Sequence, residues 1–409
     1  MTCNDNEENE NNKENEKNNG PECVFRDFCD FCDVGTSREA PGSSPRSPVY
    51  SVLAVNPGST STKVARFVDE AESWSETIRH SSDELAPFGS VVEQFDFRLS
   101  TIQNLLKEHE EEKIDAVAGR GGIIDPLPGG TFRVDRLLVD RLKVGKPWDH
   151  ASNLGGVLAE ALASRWSVPA FIVDPVCVDE MMPEARIMGL PDLPKPSFSH
   201  ALNIKATVRR AARDLNVPWN ELRAVVAHMG GGVSIVAHRR GRIIDTSNGT
   251  DYGPFSPSRT GGLPVGALAR LAFSGRYAKE ELERKIVGQG GLLAYLGTSD
   301  VRQVRKMIEE GGEKAALVYR AMAWQIAKEI GAQSASMGEK VDAILLTGGI
   351  AYDSEFVRLV QERVQWIAPC LVYAGEDEML ALVQGALRVL KGEEEAQNYS
   401  DYAPKLHLE

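Results

Sequence analysis

The stretch that decides the fold is AVVAHMGGGVSIVAHRRGRIID, from Ala224 to Asp245. An apolar run ends at His228, the three glycines Gly230, Gly231 and Gly232 follow, and VSIVAHRRGRII forms a second apolar run. Glycine loses the most conformational freedom on folding, so three in a turn indicate a backbone that something must approach closely. A loop without Cβ atoms can direct several N–H groups at one anion, which favours a phosphate as the ligand. The alternative is an ordinary glycine-rich hairpin turn.

A second segment has the same design. SVLAVNPGSTSTKVARFVDE, from Ser51 to Glu70, passes from an apolar strand through Asn56 and a turn of small residues to Lys63 and another strand. Aligning Asn56 with His228 brings the two turns into register, which is a weak internal repeat, and repeats indicate architecture. Two similar halves, each with a turn of this kind, predict one nucleotide held in a cleft between two domains.

Composition narrows the classes of function. The 409 residues are 42% hydrophobic and 26% charged, which suffices for two domains with cores of their own. The net charge of -13 makes nucleic acids and anionic membranes poor partners. No apolar stretch is long enough to span a membrane, and the N-terminus lacks the basic and apolar regions of a signal peptide. We therefore expect a cytoplasmic protein.

Residues 1–48 form a low-complexity Asn/Glu/Lys tract that closes with the linker-like PGSSPRSP. This composition buries too little apolar surface to fold alone, so it predicts a disordered acidic extension. Cys29 and Cys32 form a C-x-x-C there, which is half of a zinc site or a redox pair, but no second pair with ligand spacing follows. Incidental cysteines are the favoured interpretation. Cys177 and Cys370 lie in apolar runs and are predicted to be buried thiols.

From Val49 onward, strand-like and helix-like segments alternate, which is typical of an α/β protein. The predicted helices are 100–109, 152–166, 203–215, 314–337 and 379–392, the predicted strands are 114–119 and 169–175, and 341–364 is a strand, a Gly-Gly turn and a helix. The hairpins favour mixed sheets. Neither G-x-G-x-x-G nor G-x-x-x-x-G-K-[ST] is present, so the sequence supports neither a dinucleotide fold nor a P-loop.

From about Val49 to Lys391 the chain resembles the acetokinase family of the actin/hexokinase/Hsp70-like superfamily. The motifs that carry the resemblance are VNPGSTSTK, GRGG, PSFSHALN, HMGGGVS, DTSNGTDYGPFSPSRTGGLP and LTGGIAYDSEFV. GPFSPSRTGGLP resembles the branch of butyrate kinases and branched-chain carboxylate kinases more than the acetate branch. The resemblance implies a two-lobed α/β fold of the ribonuclease H-like kind with duplicated domains. The N-terminal lobe would be 49–174 plus 379–395, and the C-terminal, nucleotide-binding lobe 175–378.

The resemblance also implies an activity. It is the reversible, direct in-line transfer of a phosphoryl group from ATP to butyrate or a related short or branched-chain fatty acid, which gives ADP and an acyl phosphate. The implied cofactor is Mg²⁺. The implied assembly is a homodimer or a larger even oligomer. Physical chemistry agrees with this expectation. Phosphoryl transfer needs positioning and charge neutralisation more than covalent chemistry. A carboxylate is already ionised at pH 7, so no general base is required.

Four residues are the candidates for catalysis. Arg120 in AGRGG and Arg259 in SPSRTGG lie among small residues, where an anion can approach and a guanidinium can bind it in a fork. By resemblance, His200 stabilises the equatorial phosphoryl oxygens, and Asp174 positions substrate and metal. Taken alone, His200 could instead cap a helix or lie in the core. Asp174 could instead form an Asx-type turn before a proline.

The resemblance assigns further residues to the nucleotide and the metal. The residues assigned to the β- and γ-phosphates are His228, Gly230, Gly231 and Gly232. Those assigned to the adenosine are Gly348, Gly349, Asp300 and Arg302. Those assigned to Mg²⁺, which they would bind through water, are Asn56 and Glu378. Hard oxygen ligands with retained waters suit Mg²⁺. Asp300 could equally be only a helix cap. Glu376 and Asp377 are neighbouring alternatives to Glu378, since the helix dipole by itself favours acids at a helix start.

Three other functions remain open at this stage. An acetate or propionate kinase would differ only in pocket volume, where one methylene is worth about 1–3 kcal/mol. A hydroxyl kinase of the same superfamily would need an aspartate base, for which Asp174 could serve. A nucleotide-switched binding protein would need an assembly or peptide-binding surface, and only one helix and a short tail follow Glu378.

Overall fold

The computed structural model describes residues 48–109, 113–248, 250 and 252–403. The predicted extension, with its C-x-x-C, lies outside the described residues except for Pro48. The strands are β1 Ser51–Pro57, β2 Ser61–Val68, β3 Ala71–Arg79, β4 Ala116–Arg120, β5 Thr131–Arg133, β6 Ala170–Val173, β7 Ala224–Met229, β8 Val233–Arg239, β9 Arg242–Ser247, β10 Ala343–Gly348 and β11 Cys370–Ala374. The helices are α1 Ser82–Leu85, α2 Phe95–Glu108, α3 Arg136–Lys143, α4 Asn153–Trp166, α5 Pro183–Arg186, α6 Ala201–Asp214, α7 Val265–Ala272, α8 Lys279–Ile286, α9 Gly291–Leu296, α10 Val301–Glu309, α11 Glu313–Ser336, α12 Ser354–Val364 and α13 Glu378–Leu390, with short 3-10 turns at Val92–Gln94, Gly349–Tyr352 and Tyr399–Asp401.

The strands form two mixed sheets with the same topology. The first has the order β3-β2-β1-β4-β6-β5 and the second, read from its opposite edge, β9-β8-β7-β10-β11. In each, a three-stranded antiparallel meander is continued by parallel strands. β1 is antiparallel to β2 and parallel to β4, as β7 is antiparallel to β8 and parallel to β10. The repeat of two hairpins is therefore a duplication of a whole sheet, and β5 is an addition at one edge.

One apolar run holds two strands. VSIVAHRRGRII is a single apolar run in the sequence, whereas the structure divides it between β8 and β9. Arg240 and Gly241 have φ values of 53 and 78, in the left-handed region. Positive φ at both central residues is characteristic of the tightest hairpin turns, which match the twist of the flanking strands.

Helix α6 lies between the two sheets and positions the site. Its Leu202 belongs to the core that β1, β4, β6 and α13 share, while its Ile204 and Val208 belong to the core with β7 and β10. The outer face of the first sheet is covered by α2, α3 and α4, and that of the second by α11 and α12. None of the described helices is both long and apolar enough to cross a bilayer.

The two cysteines of the folded part are free thiols. Cys177 is buried as predicted, whereas Cys370 is only partly buried. Burial raises the pKa of each thiol to about 11, which keeps both protonated at neutral pH.

Candidate active site

A cavity of about 380 Å³ brings together three of the four predicted catalytic residues. Arg120 ends β4, His200 immediately precedes α6, and Arg259 lies in the loop before α7. All three line the cavity. Residues far apart in the chain therefore place two guanidinium groups and an imidazole around one space, which suits an anion or a pair of anions.

The remaining lining of this cavity is mixed, with apolar side chains beside the polar residues Asp149, His150, Ser199, Ser234, Asn248 and Thr250. Its apolar lining residues are Ile123, Trp148, Val176, Phe198 and Val287. The Trp148 and Phe198 rings lie 5.6 Å apart between centroids. The cavity thus has cationic groups that can bind a carboxylate and apolar groups that can contact an alkyl chain. A short fatty acid has both of these parts.

The His200 ring is held from two sides. It stacks on the His228 ring with centroids 3.8 Å apart and planes 12° from parallel, and its Nδ1 lies 2.9 Å from Ser234 Oγ. Burial, reinforced by the charges of His228, Arg120 and Arg259, holds the pKa of His200 well below its usual value. The ring is therefore neutral at pH 7. If Nδ1 accepts the Ser234 hydroxyl proton, Nε2–H is the donor that this ring retains.

Two of the three glycines, Gly230 and Gly232, make room for side chains, whereas a Cβ at Gly231 would meet nothing within 4 Å. A Cβ at Gly232 would lie 2.8 Å from Arg259 Nη1, and one at Gly230 would lie 3.2 Å from His228 Nε2 and 3.1 Å from Glu376 Oε1. None of the three has a positive φ. This is a different reason for the glycines from the one the sequence suggested. They admit Arg259 and His228 to the turn, while the approach of a phosphate to the backbone stays a prediction.

The two predicted metal residues lie in contact and adjoin the cationic group. Asn56 Nδ2 donates to Glu378 Oε2 at 2.6 Å, and the other oxygen of Glu378 is paired with Arg120. Asn56 and Glu378 also line a second cavity, of about 460 Å³, with Glu376 and Asp377. Among the described residues there is no cluster of three or more His, Cys, Asp or Glu side chains placed to hold a metal.

Asp174 lies apart from the group that lines the first cavity. It is buried at the end of β6 with a φ of 39, and its Oδ1 accepts the Gly130 N–H at 2.7 Å. Its Oδ2 lies 3.5 Å from Arg209 Nη1. These contacts hold the loop around Gly130 against the first sheet. They are long-range contacts and not the local one of an Asx turn, so they do not support that alternative. The catalytic role of Asp174 stays a prediction.

The residues predicted for the adenosine lie in two places, at the turn after β10 and at the start of α10. Gly348 has a φ of 87, and a Cβ there would lie 2.4 Å from the Met229 carbonyl oxygen, so this turn packs against the strand that leads to the three glycines. Asp300 caps α10 through the Arg302 N–H at 2.9 Å, and the Arg302 side chain returns to the same carboxylate. Asp300 is therefore a helix cap, as the alternative interpretation expected. Neither residue lines the first cavity, and their adenosine role stays a prediction.

Sequence reasoning missed His150 and Asn203. His150 lines the first cavity, and burial together with the charges of Arg120 and Arg259 lowers its pKa. Asn203 Oδ1 lies 2.8 Å from His228 Nδ1. The available signals were a histidine beside the polar start of a helix, in DHASNLGG, and an asparagine one turn after His200, in SHALN.

Comparison with known proteins identifies the family. Residues 199–368 match the acetokinase family. Over 353 residues the chain is 49% identical to butyrate kinase 2 of Clostridium acetobutylicum, an alignment that covers 86% of this chain and 99% of that protein.

Solved structures share the fold. An acetate kinase from Porphyromonas gingivalis superposes with a TM-score of 0.69 at 18% identity, covering 83% of this chain and all of that one (100%). A propionate kinase from Francisella tularensis gives a TM-score of 0.66 at 18% identity, covering 82% of this chain and 98% of that one. These likenesses confirm the predicted fold class. With the identity to the clostridial enzyme, they show that the chain belongs to the acetokinase family.

Proposed function

We propose that this chain is an ATP-dependent carboxylate kinase that converts butyrate, or a related short or branched-chain fatty acid, to its acyl phosphate. The observation that carries the proposal is the convergence of Arg120, His200 and Arg259 on one cavity that five apolar side chains also line. Family membership and the clostridial relative support it independently. The reaction is reversible and places the enzyme in the fatty acid metabolism of the cytoplasm.

The geometry accounts for the chemical step. A carboxylate oxygen attacks the terminal phosphorus of ATP, the bond to the bridging oxygen breaks, and ADP leaves with that electron pair. No proton moves, because the acid is already ionised. Arg120 and Arg259 bring the two anions together, and neutral His200 donates to the phosphoryl oxygens as charge spreads over them.

Mg²⁺ is the proposed cofactor, bound near Asn56 and Glu378. It usually binds proteins through one or two carboxylates while keeping waters and substrate phosphates as its other ligands. The carboxylates and the amide that line the second cavity fit that preference. Bound there, Mg²⁺ would supply neutralisation of phosphate charge. Arg120, now paired with Glu378, would be released toward the incoming anion.

We further propose that the protein is a homo-oligomer in which α7 contacts a second copy. This helix is apolar in sequence, VGALARLA, yet none of its residues is buried. Val265 at its start is 80% exposed and Phe273 after its end is 91% exposed. An exposed apolar helix of this kind marks an interaction surface.

A scan of carboxylic acids tests the activity. With ATP, Mg²⁺ and hydroxylamine to trap the acyl phosphate, we expect the signal to peak at butyrate, isobutyrate or isovalerate and to be weaker with acetate. A peak at acetate or propionate would assign the protein to that alternative. A folded, ATP-binding protein that gave no signal with any acid would contradict the proposal and favour a hydroxyl kinase or a nucleotide-switched binding protein.

Chain-length preference should depend on Val176. In Val176→Phe the larger ring fills the apolar part of the cavity, so the ratio of kcat/KM for butyrate to that for acetate should fall by about 10-fold or more, since each methylene is worth about 1–3 kcal/mol. Steady-state kinetics with both acids measure the ratio. Val144→Phe, at an exposed position, is the matched control. An unchanged ratio in Val176→Phe would show that the acyl chain binds elsewhere.

A further inference from the structure

The His228 ring has a polar partner at each nitrogen, and its side chain is almost wholly buried. Nδ1 lies 2.8 Å from Asn203 Oδ1 on α6. Nε2 lies 3.4 Å from Glu376 Oε1, in the loop between β11 and α13. The ring therefore cannot rotate or flip without losing a contact on both sides.

The orientation of the Asn203 amide is fixed by a separate contact. Its Nδ2 donates to the Glu376 carbonyl oxygen at 3.0 Å, which leaves Oδ1 facing His228. Thr347 Oγ1 lies 3.3 Å from the same Oδ1 and supports this orientation from β10. An amide oxygen can only accept a hydrogen bond, so Nδ1 of His228 must carry a proton.

The contact at Nδ1 also determines which groups Nε2 faces. Nε2 faces the three-glycine turn, since a Cβ at Gly230 would lie 3.2 Å from it. With the Nδ1 proton committed to Asn203, the ring plane is set and Nε2 is held between the turn and the Glu376 carboxylate. The hydrogen bond with His228 in turn holds the pKa of Glu376 below its usual value.

We propose that Asn203 is a positioning residue for phosphoryl transfer, because by accepting the Nδ1–H of His228 it directs Nε2 at the turn that is predicted to bind the nucleotide phosphates. The inference rests on the proposed function and deepens it. The same contact also bears on His200, whose ring stacks on that of His228 with centroids 3.8 Å apart while Ser234 holds its Nδ1.

Nuclear magnetic resonance of the ligand-free protein tests the ring directly. The protein has 7 histidines, so ¹⁵N-histidine labelling gives few signals, and those of His228 are the ones absent in His228→Gln. We expect a protonated Nδ1 in the wild type and in Asn203→Asp, which keeps the acceptor. In Asn203→Leu that signature should be lost. An unprotonated Nδ1 in the wild type would overturn the proposal.

Kinetics test the consequence for transfer. Asn203→Leu should lower kcat by about 10- to 100-fold, the usual cost of losing a partner that orients a functional histidine, with little change in KM for the acid. Asn203→Asp should recover part of kcat. Thr207→Val is the matched control, because Thr207 is buried one turn further along α6 and contacts Thr347.

The outcomes separate this inference from the proposed function. A kcat for Asn203→Leu within 2-fold of the wild type would overturn the positioning role, whatever the spectra show. If Asn203→Leu does not fold, the wild-type spectrum and the Asn203→Asp kinetics still decide. A wild-type protein without carboxylate kinase activity would refute the proposed function, while the spectra would still report the Asn203–His228 contact.

Discussion

Arg259→Met is expected to lower kcat for acyl phosphate formation by about 1,000-fold or more, because an arginine that neutralises the transferring phosphoryl group is worth 10³–10⁵ in rate. Arg259 lines the same cavity as Arg120 and His200, and its guanidinium lies against Gly232. Burial lowers its pKa, but a guanidinium remains charged at neutral pH. Methionine keeps the length of the side chain and removes the charge. The measurement is kcat with saturating ATP and butyrate.

Two further variants make this result specific. Arg259→Lys keeps the charge but loses the planar fork, so its kcat should lie between those of the wild type and Arg259→Met. Arg136→Met removes an arginine whose side chain is 95% exposed, and it should leave kcat unchanged. A folded Arg259→Met variant with kcat within 10-fold of the wild type would remove Arg259 from the transfer step.

The parts of the fold that sequence predicted are those with a strong local pattern. The long apolar helices at 314–337 and 379–392 correspond to Glu313–Ser336 and Glu378–Leu390. The two hairpins identified the duplication, because strand, small-residue turn and strand are adjacent in the chain. β5 could not be predicted in this way, since three residues carry no periodicity and the strand exists only by pairing with β6.

The site residues that the sequence predicted best are arginines flanked by small residues. Arg120 and Arg259 were identified by their glycines and serines, and the fold brings both to His200. Contacts made across the fold were not predictable. The pairing of Asp174 with Gly130, and of His228 with Asn203, depends on how β6 and α6 pack against their neighbours.

The neutral state of His200 has a consequence for the dependence of rate on pH. Burial and nearby positive charge hold its pKa well below the usual value, so lowering the pH from 8 to 6 should not protonate it. The neutral form is the one present above the lowered pKa, so this residue should contribute no acid limb to kcat in that range. A histidine that acted as imidazolium would instead give a rate that rises as the pH falls.

His200→Ala is expected to lower kcat by about 100- to 1,000-fold, the cost of removing one donor to a developing charge. KM for the acid should change little, because the apolar lining residues and the two arginines remain. His109→Ala is the matched control. His109 directly follows α2, stacks on Trp74 of β3 and does not line the cavity. An equal loss in both variants would mean that the effect is not specific to the site. An effect on KM alone would mean that His200 binds the acid rather than stabilising the transferring phosphoryl group.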